Sequence, residues 1–153
     1  MSSRITDDRG ESLVELLITI VIMGITVVAV MGGFLASITM SDVHRKQATV
    51  GGLARDYAEG VERFVSGTGY AACADNSAYA AGTVGFALPA DYSGYTAEVT
   101  SVRYWTTAST WAATCASDRG LQQVTVRVSS PDGRAAESAV IVVRRPCGQG
   151  STC

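Results

Sequence analysis

The sequence predicts an α+β protein, in which a long N-terminal membrane-spanning helix packs through its C-terminal half against a small antiparallel β-sheet. Three observations carry this expectation. Residues 16–40 hold no charged side chain, and residues 43–64 repeat apolar side chains at intervals of three, four and seven. From residue 95 onward the apolar spacing becomes two, and Ser130-Pro131-Asp132-Gly133 separates two alternating runs.

The charge-free run sets the first element. At about 1.5 Å per residue, residues 16–40 make a helix of about 37 Å, enough to cross a hydrocarbon core of about 30 Å. Thr19, Thr26, Ser37 and Thr39 are its polar interruptions, and each can hydrogen-bond back to its own helix. Gly24, Gly32 and Gly33 each weaken an aqueous helix by about 1 kcal/mol, so they mark close packing or a place to unwind. Glu15 stands at the mouth of this run. An ionised side chain there costs up to about 2.5–3.5 kcal/mol, depending on depth, and calls for a cationic partner. No Lys or Arg occurs between Glu15 and Arg45. The partner must therefore come from residues 1–10, from another chain, or from a new chain end. A cut after Gly10 creates an α-amine at Glu11, awkwardly placed for its own Glu15 but reachable for a neighbour staggered along a helical bundle.

Gly10-Glu11-Ser12-Leu13-Val14-Glu15-Leu16-Leu17 resembles the processing motif of type IV prepilins and pseudopilins. The resemblance covers residues 4–40, a quarter of the chain. In that family a membrane-embedded aspartic peptidase cuts after the glycine, methylates the new N-terminus and leaves a glutamate as the fifth mature residue. The resemblance implies a prepilin leader at 1–10, with Arg4 and Arg9 facing the cytoplasm. It places cleavage between Gly10 and Glu11, N-methylation on Glu11, assembly contacts at Glu15, and helix packing at Gly24, Gly32 and Gly33. One departure is evident, since the family usually begins its mature chain with an aromatic or apolar residue. Glu11 adds a second carboxylate that competes with Glu15 for the amine. Residue chemistry by itself also allows a plain anchor whose Glu15 snorkels into the headgroups. A secretory signal peptide fits poorly, because the apolar run is too long and no small-x-small site follows it before Gly51. Arg4 and Arg9 on one flank balance Arg45 and Lys46 on the other, so orientation rests on the resemblance.

Length and charge bound the remainder. The 153 residues accommodate one anchor and one modest domain. Twelve basic and 14 acidic side chains give a net charge of −2, and loss of residues 1–10 leaves that balance unchanged. No basic patch argues for nucleic acid, and Arg45-Lys46 and Arg144-Arg145 read as solvated pairs.

Residues 11–66 are expected as one long helix, with 16–40 transmembrane and 41–66 an amphipathic stalk. Val43, Val50, Ala54, Tyr57, Val61 and Phe64 make the apolar face, and charged residues fill much of the other side. Gly51-Gly52 is expected to bend or interrupt it, and Ser66-Gly67-Thr68-Gly69 to end it. The division into a lipid half and a packing half again resembles the pilin stalk.

Residues 67–153 form the β-rich head. A small-residue loop over 70–82 precedes a short expected strand over 83–88, ended by Pro89. Tyr95, Ala97 and Val99 alternate, as do Val102 and Tyr104, and the phase change between them predicts a bulge or bend. Val124, Val126 and Val128, the turn, and then residues 139–143 read as a hairpin. Three or four strands laid over the stalk would hide both apolar faces. Trp105, Trp111 and the tyrosines are expected in core or cross-strand packing rather than on an adhesive surface. The Ser/Thr/Ala-rich stretch over 106–118 reads as a connecting loop.

Cys73, Cys115, Cys147 and Cys153 all follow the apolar helix, which suggests an oxidising exterior. Of three pairings, Cys73 with Cys115 and Cys147 with Cys153 is favoured, because the latter two are close in sequence. Loop closure assigns these bridges about 4 and 2.4 kcal/mol. No Cys-x-x-Cys spacing occurs and the single histidine, His44, lies on the stalk, so no metal site is expected. That histidine is far along the chain from every cysteine, and no phosphate-cradling glycine loop occurs, so neither enzyme activity nor a cofactor is expected.

The resemblance implies a structural subunit of a type IV pilus-like filament. Its partners would be prepilin peptidase, a membrane-embedded assembly platform, membrane lipid and other pilin subunits. It would sit in the cytoplasmic membrane as a single-pass protein, N-terminus inside and head outside, and then in an extracellular or envelope-spanning filament. Two alternatives stay open. One is a minor pilin or pseudopilin of a secretion or competence filament; the other is a single-pass anchored extracellular binding protein that never polymerises.

Overall fold

The computed structural model describes residues 9–147, with side chains described from residue 13 onward. Its elements are a helix α1 (Arg9–Phe64) and strands β1 (Thr96–Trp105), β2 (Trp111–Ala112), β3 (Leu121–Ser129) and β4 (Ala136–Arg144). The chain is α+β, and it divides into two units, Met1–Asp42 and Val43–Cys153.

The described part of the first unit is helical. Thr19, Thr26 and Thr39 each donate a hydroxyl hydrogen bond to the carbonyl four residues back, at 2.7, 2.8 and 2.9 Å. Those bonds absorb the three threonine hydroxyls of the run within its own helix. Between Leu13 and Met40, 18 large apolar side chains stand 46–71% exposed, which no water-soluble helix sustains. The helix is long and apolar enough to cross a membrane.

The second unit holds the cores. Val50, Leu53, Ala54, Tyr57, Ala58 and Val61 recur on one face of α1 and are buried, while Arg55, Asp56, Glu59, Glu62 and Arg63 are exposed. The expected amphipathic face is therefore present. The expected interruption at Gly51-Gly52 is not: α1 runs through both glycines without a break. Val50 on one side and Leu53 and Ala54 on the other are anchored in a cluster with Val128 and Ala135, which holds the backbone straight despite its permissive residues. The helix ends two residues before the expected boundary and passes into a wider turn over Val65–Gly69. A Cβ on Gly69 would overlap the Phe64 ring, so the ring in this position lies directly against the glycine.

The sheet has the order β2-β1-β3-β4, with every neighbouring pair antiparallel. The β1–β3 register shifts between Val99 and Ser101, which is the irregularity that the phase change in the sequence anticipates. Val124, Val126 and Val128 are fully buried, each contributing about 1.5–2 kcal/mol through burial. Val124 and Val126 join one cluster with Tyr57, Val61, Val65, Val102, Tyr104 and Val143, whereas Val128 joins the other with Val50, Leu53, Ala54 and Ala135. The β3–β4 turn forms at the expected residues. Gly133 adopts φ +67°, its N–H donates to the Ser130 carbonyl at 3.0 Å, and the Ser130 hydroxyl donates to Asp132 Oδ1 at 2.7 Å.

The strand expected over 83–88 does not form. The N–H groups of Thr83 and Val84 donate to the Ala80 carbonyl, and that of Phe86 to the Ala81 carbonyl, so local turns consume the donors a strand would need. Gly85 takes φ +71°, and Phe86 stacks on Tyr57 with ring centroids 4.8 Å apart. The apolar residues here anchor a loop to α1. Within the stretch read as a connecting loop, Trp111–Ala112 adds a two-residue strand beside β1.

Candidate functional site

Two parts of the chain carry functional or organising chemistry. The first is the start of α1. Gly10 and Glu11 lie within this helix, and the Glu11 side chain is outside the described residues. Glu15 is exposed, and its carbonyl accepts the Thr19 hydroxyl. A Cβ added at Gly24, Gly32 or Gly33 would meet nothing within 4 Å. These glycines are therefore not required by any contact among the described residues of this chain, and they leave narrow places in an otherwise bulky apolar surface.

The second is a buried polar knot around the disulfide between Cys73 and Cys115, whose Cα atoms are 5.6 Å apart. This bridge is the pairing favoured from sequence. The Cys147–Cys153 pairing lies outside the described residues. Asp118, with its side chain only 6% exposed, organises the knot. It accepts the Tyr70 hydroxyl at 2.8 Å, the Cys73 N–H at 2.9 Å, the Gly120 N–H at 2.6 Å, the Gln122 amide at 2.9 Å and the Arg145 guanidinium at 2.9 Å. Burial pushes its carboxyl pKa up, but the donors from Cys73, Gln122, Tyr70 and Gly120 together outweigh that, and the net position is below the usual carboxylate range. Cys73 takes a left-handed φ of +52°, a conformation costing about 1–2 kcal/mol in a non-glycine residue, and its bond to Asp118 helps hold it there.

The knot extends into the core. Gln122 is fully buried; its amide donates to the Ala71 carbonyl at 2.8 Å and its oxygen accepts the Tyr79 hydroxyl at 2.7 Å. Tyr57 on α1 then donates to the Tyr79 carbonyl at 3.0 Å, and Tyr104 on β1 donates to the Ala74 carbonyl at 2.6 Å. Burial pushes the Tyr57 and Tyr79 hydroxyls up to about 12, so both stay protonated donors at any working pH. Helix, loop and sheet are thus joined through matched polar groups, and among the described residues no buried side-chain polar atom lacks a partner.

Sequence reasoning passed over Asp118, treating it as the end of a polar loop. The available signal was Asp118-Arg119-Gly120, an Asx-turn pattern whose glycine returns its N–H to the aspartate. Asp75 is exposed and caps the short turn Asn76–Tyr79 by accepting the Ser77 and Ala78 N–H groups. The aromatic side chains divide. Tyr57, Tyr79 and Tyr104 are core residues, whereas Trp105 and Trp111 form a half-buried cross-strand pair outside both apolar clusters. Among the described residues, no three His, Cys, Asp or Glu side chains converge as metal ligands.

Residues 5–31 match the family model described as the prokaryotic N-terminal methylation motif. No curated protein and no solved structure matches the chain. The matched segment takes in Gly10, Glu11 and Glu15, and it opens the exposed apolar helix. The chain therefore carries the prepilin-type cleavage motif at the head of a membrane-length helix, which supports a membrane-anchored, type IV pilin-like protein.

Proposed function

We propose that the chain is a structural subunit of a type IV pilus-like filament, cut by prepilin peptidase between Gly10 and Glu11, methylated at Glu11 and assembled through α1. The observation that carries this reading is a carboxylate, Glu15, at the head of a helical surface that is uncharged over residues 16–40 and that the described residues leave exposed. Before assembly lipid covers that surface; afterwards neighbouring helices do. Because lipid is as apolar as the helix, association needs close van der Waals fit and polar pairing rather than a hydrophobic drive. Gly24 and Gly33 are nine residues apart, about 180° around a helix turning about 100° per residue. Their narrow places admit neighbours on opposite sides, as a filament core requires. Cleavage supplies the missing cation. A new ammonium group at Glu11 adds to the positive end of the helix dipole, and Glu15 of an adjacent staggered copy is its natural counter-ion. The head is carried to the outside by this topology, in keeping with the disulfide between Cys73 and Cys115.

Intact-mass measurement of the chain from native envelopes tests the processing step: the mature species begins at Glu11 and is about 14 Da heavier if monomethylated. A chain retaining Met1 overturns the proposal. Glu15→Ala tests assembly. That variant is cleaved and inserted normally, but its incorporation into filaments falls about tenfold or more, the equivalent of about 1.4 kcal/mol or more. Unchanged incorporation removes the role assigned to Glu15.

A further inference from the structure

The two tryptophans of the chain enter neither apolar cluster, although large aromatic side chains usually supply core area. Alternation along β1 buries Val102 and Tyr104, so Arg103 and Trp105 occupy the opposite face of the sheet. On that face Trp111 stands opposite Trp105, and the two rings meet edge to face with centroids 5.1 Å apart. Arg103 lies opposite Gln123, which in turn lies opposite Val142; Leu121, at the start of β3, lies opposite Arg144. One guanidinium N–H of Arg103 donates to the Trp111 carbonyl at 3.1 Å, fixing the planar fork beside the indole pair while other N–H groups remain for an acceptor.

Charge is segregated on this surface. Arg103, Arg127 and Arg144 occupy it against one carboxylate, Glu98, which the register sets opposite Arg127. The chain as a whole is at −2. We propose that the outer face of the sheet is a docking surface for an acidic polysaccharide, with a pyranose ring seated on the Trp105–Trp111 pair and its carboxylate held by Arg103 or Arg144. A pyranose presents a flat array of C–H groups that stacks on an indole, and its hydroxyls match the neutral amide and hydroxyl groups of Gln123, Ser101 and Thr125 that share the face. Carboxylates match the arginine fork in bidentate geometry. A single-stranded nucleic acid carries a charge at every nucleotide and calls for a denser basic groove than three arginines, no lysine and one opposing glutamate provide. Sparse anionic charge and abundant hydroxyls favour the saccharide. The site stands on the head and does not depend on whether the chain polymerises.

The test uses the full chain in detergent micelles, titrated with galacturonate oligosaccharides and followed by tryptophan fluorescence and calorimetry, with dextran and oligothymidylate as comparison probes. Saturable galacturonate binding with an altered indole emission is expected, with little response to dextran. Trp105→Ala and Arg103→Gln should each weaken it about tenfold. Arg144→Gln, at an exposed position on the edge strand, should weaken it severalfold with an unchanged melting temperature, which separates lost binding from lost folding. The proposal is overturned by no saturable binding, by affinities that these substitutions leave unchanged, by tighter binding of oligothymidylate, or by an emission change that tracks protein self-association instead of saccharide.

Discussion

Asp118 shows how much one side chain can organise. A carboxylate with five donors around it is stabilised in its ionised form, and removing the charge leaves Arg145 half-buried without its 2.9 Å partner. Asp118→Asn should therefore destabilise the folded state by about 2–3 kcal/mol at neutral pH, measured by denaturant unfolding of the detergent-solubilised chain. The pH dependence follows from the same position. Its folded pKa lies below the ordinary carboxylate value, so the stabilisation is complete above about pH 4 and is lost as pH falls through the depressed folded value. Asp132, held down chiefly by the 2.7 Å bond from Lys46, contributes a loss of the same sign. Melting temperature in the wild type should hold steady from neutral pH to about 5 and fall below about 4. In Asp118→Asn the fall should be shallower, and an equally steep fall would show that Asp118 does not set it.

At the scale of elements, the loop over 70–82 and the stretch over 106–118 have little regular structure of their own, apart from short turns and the two-residue β2. Their order comes from cross-links. The Cys73–Cys115 bridge spans a sequence separation of 42, and loop closure of that length stabilises by about 4 kcal/mol. Cys115→Ser should lose most of that amount, and reduction of the wild type, which opens every bridge, should lose at least as much; denaturant midpoints under oxidising and reducing conditions compare the two. The same reasoning explains the missing strand over 83–88. Its apolar residues satisfy the strand pattern, but Phe86 finds Tyr57 on α1, and local turns take its backbone partners first.

For the whole molecule, the division at Asp42 and Val43 coincides with a change of environment. Every residue of both apolar clusters lies at position 50 or beyond, whereas the side chains from Leu13 to Met40 contribute none. A fragment of residues 43–153 should thus fold without lipid or detergent. Its melting temperature should match that of the full chain in micelles within a few degrees, and circular dichroism of the two should report the same head. A fragment that unfolds or aggregates would show that the apolar half of α1 supports the head as well as anchoring it.

Whatever depends on neighbours along the chain could be read from the residues themselves. The charge-free run, the period of the stalk, the β1 irregularity and the Ser130-Pro131-Asp132-Gly133 turn are local patterns, because hydrogen-bond reach and side-chain direction within a helix or strand are fixed by sequence spacing. The prepilin-type motif is local in the same sense, a glycine and a glutamate at set positions before a greasy helix. What only the tertiary structure decided depends on residues far apart in sequence. Asp118 gathers donors from residues 70 to 145, Tyr57 reaches Tyr79, and Gly51-Gly52 stay helical because Val128 and Ala135 pack with their flanks. Trp105 and Trp111 were expected in core or cross-strand packing, and the register with β2 makes them a cross-strand pair on the outer face instead of core. No spacing rule could foresee that, since the face a strand buries is chosen by what the rest of the chain lays against it.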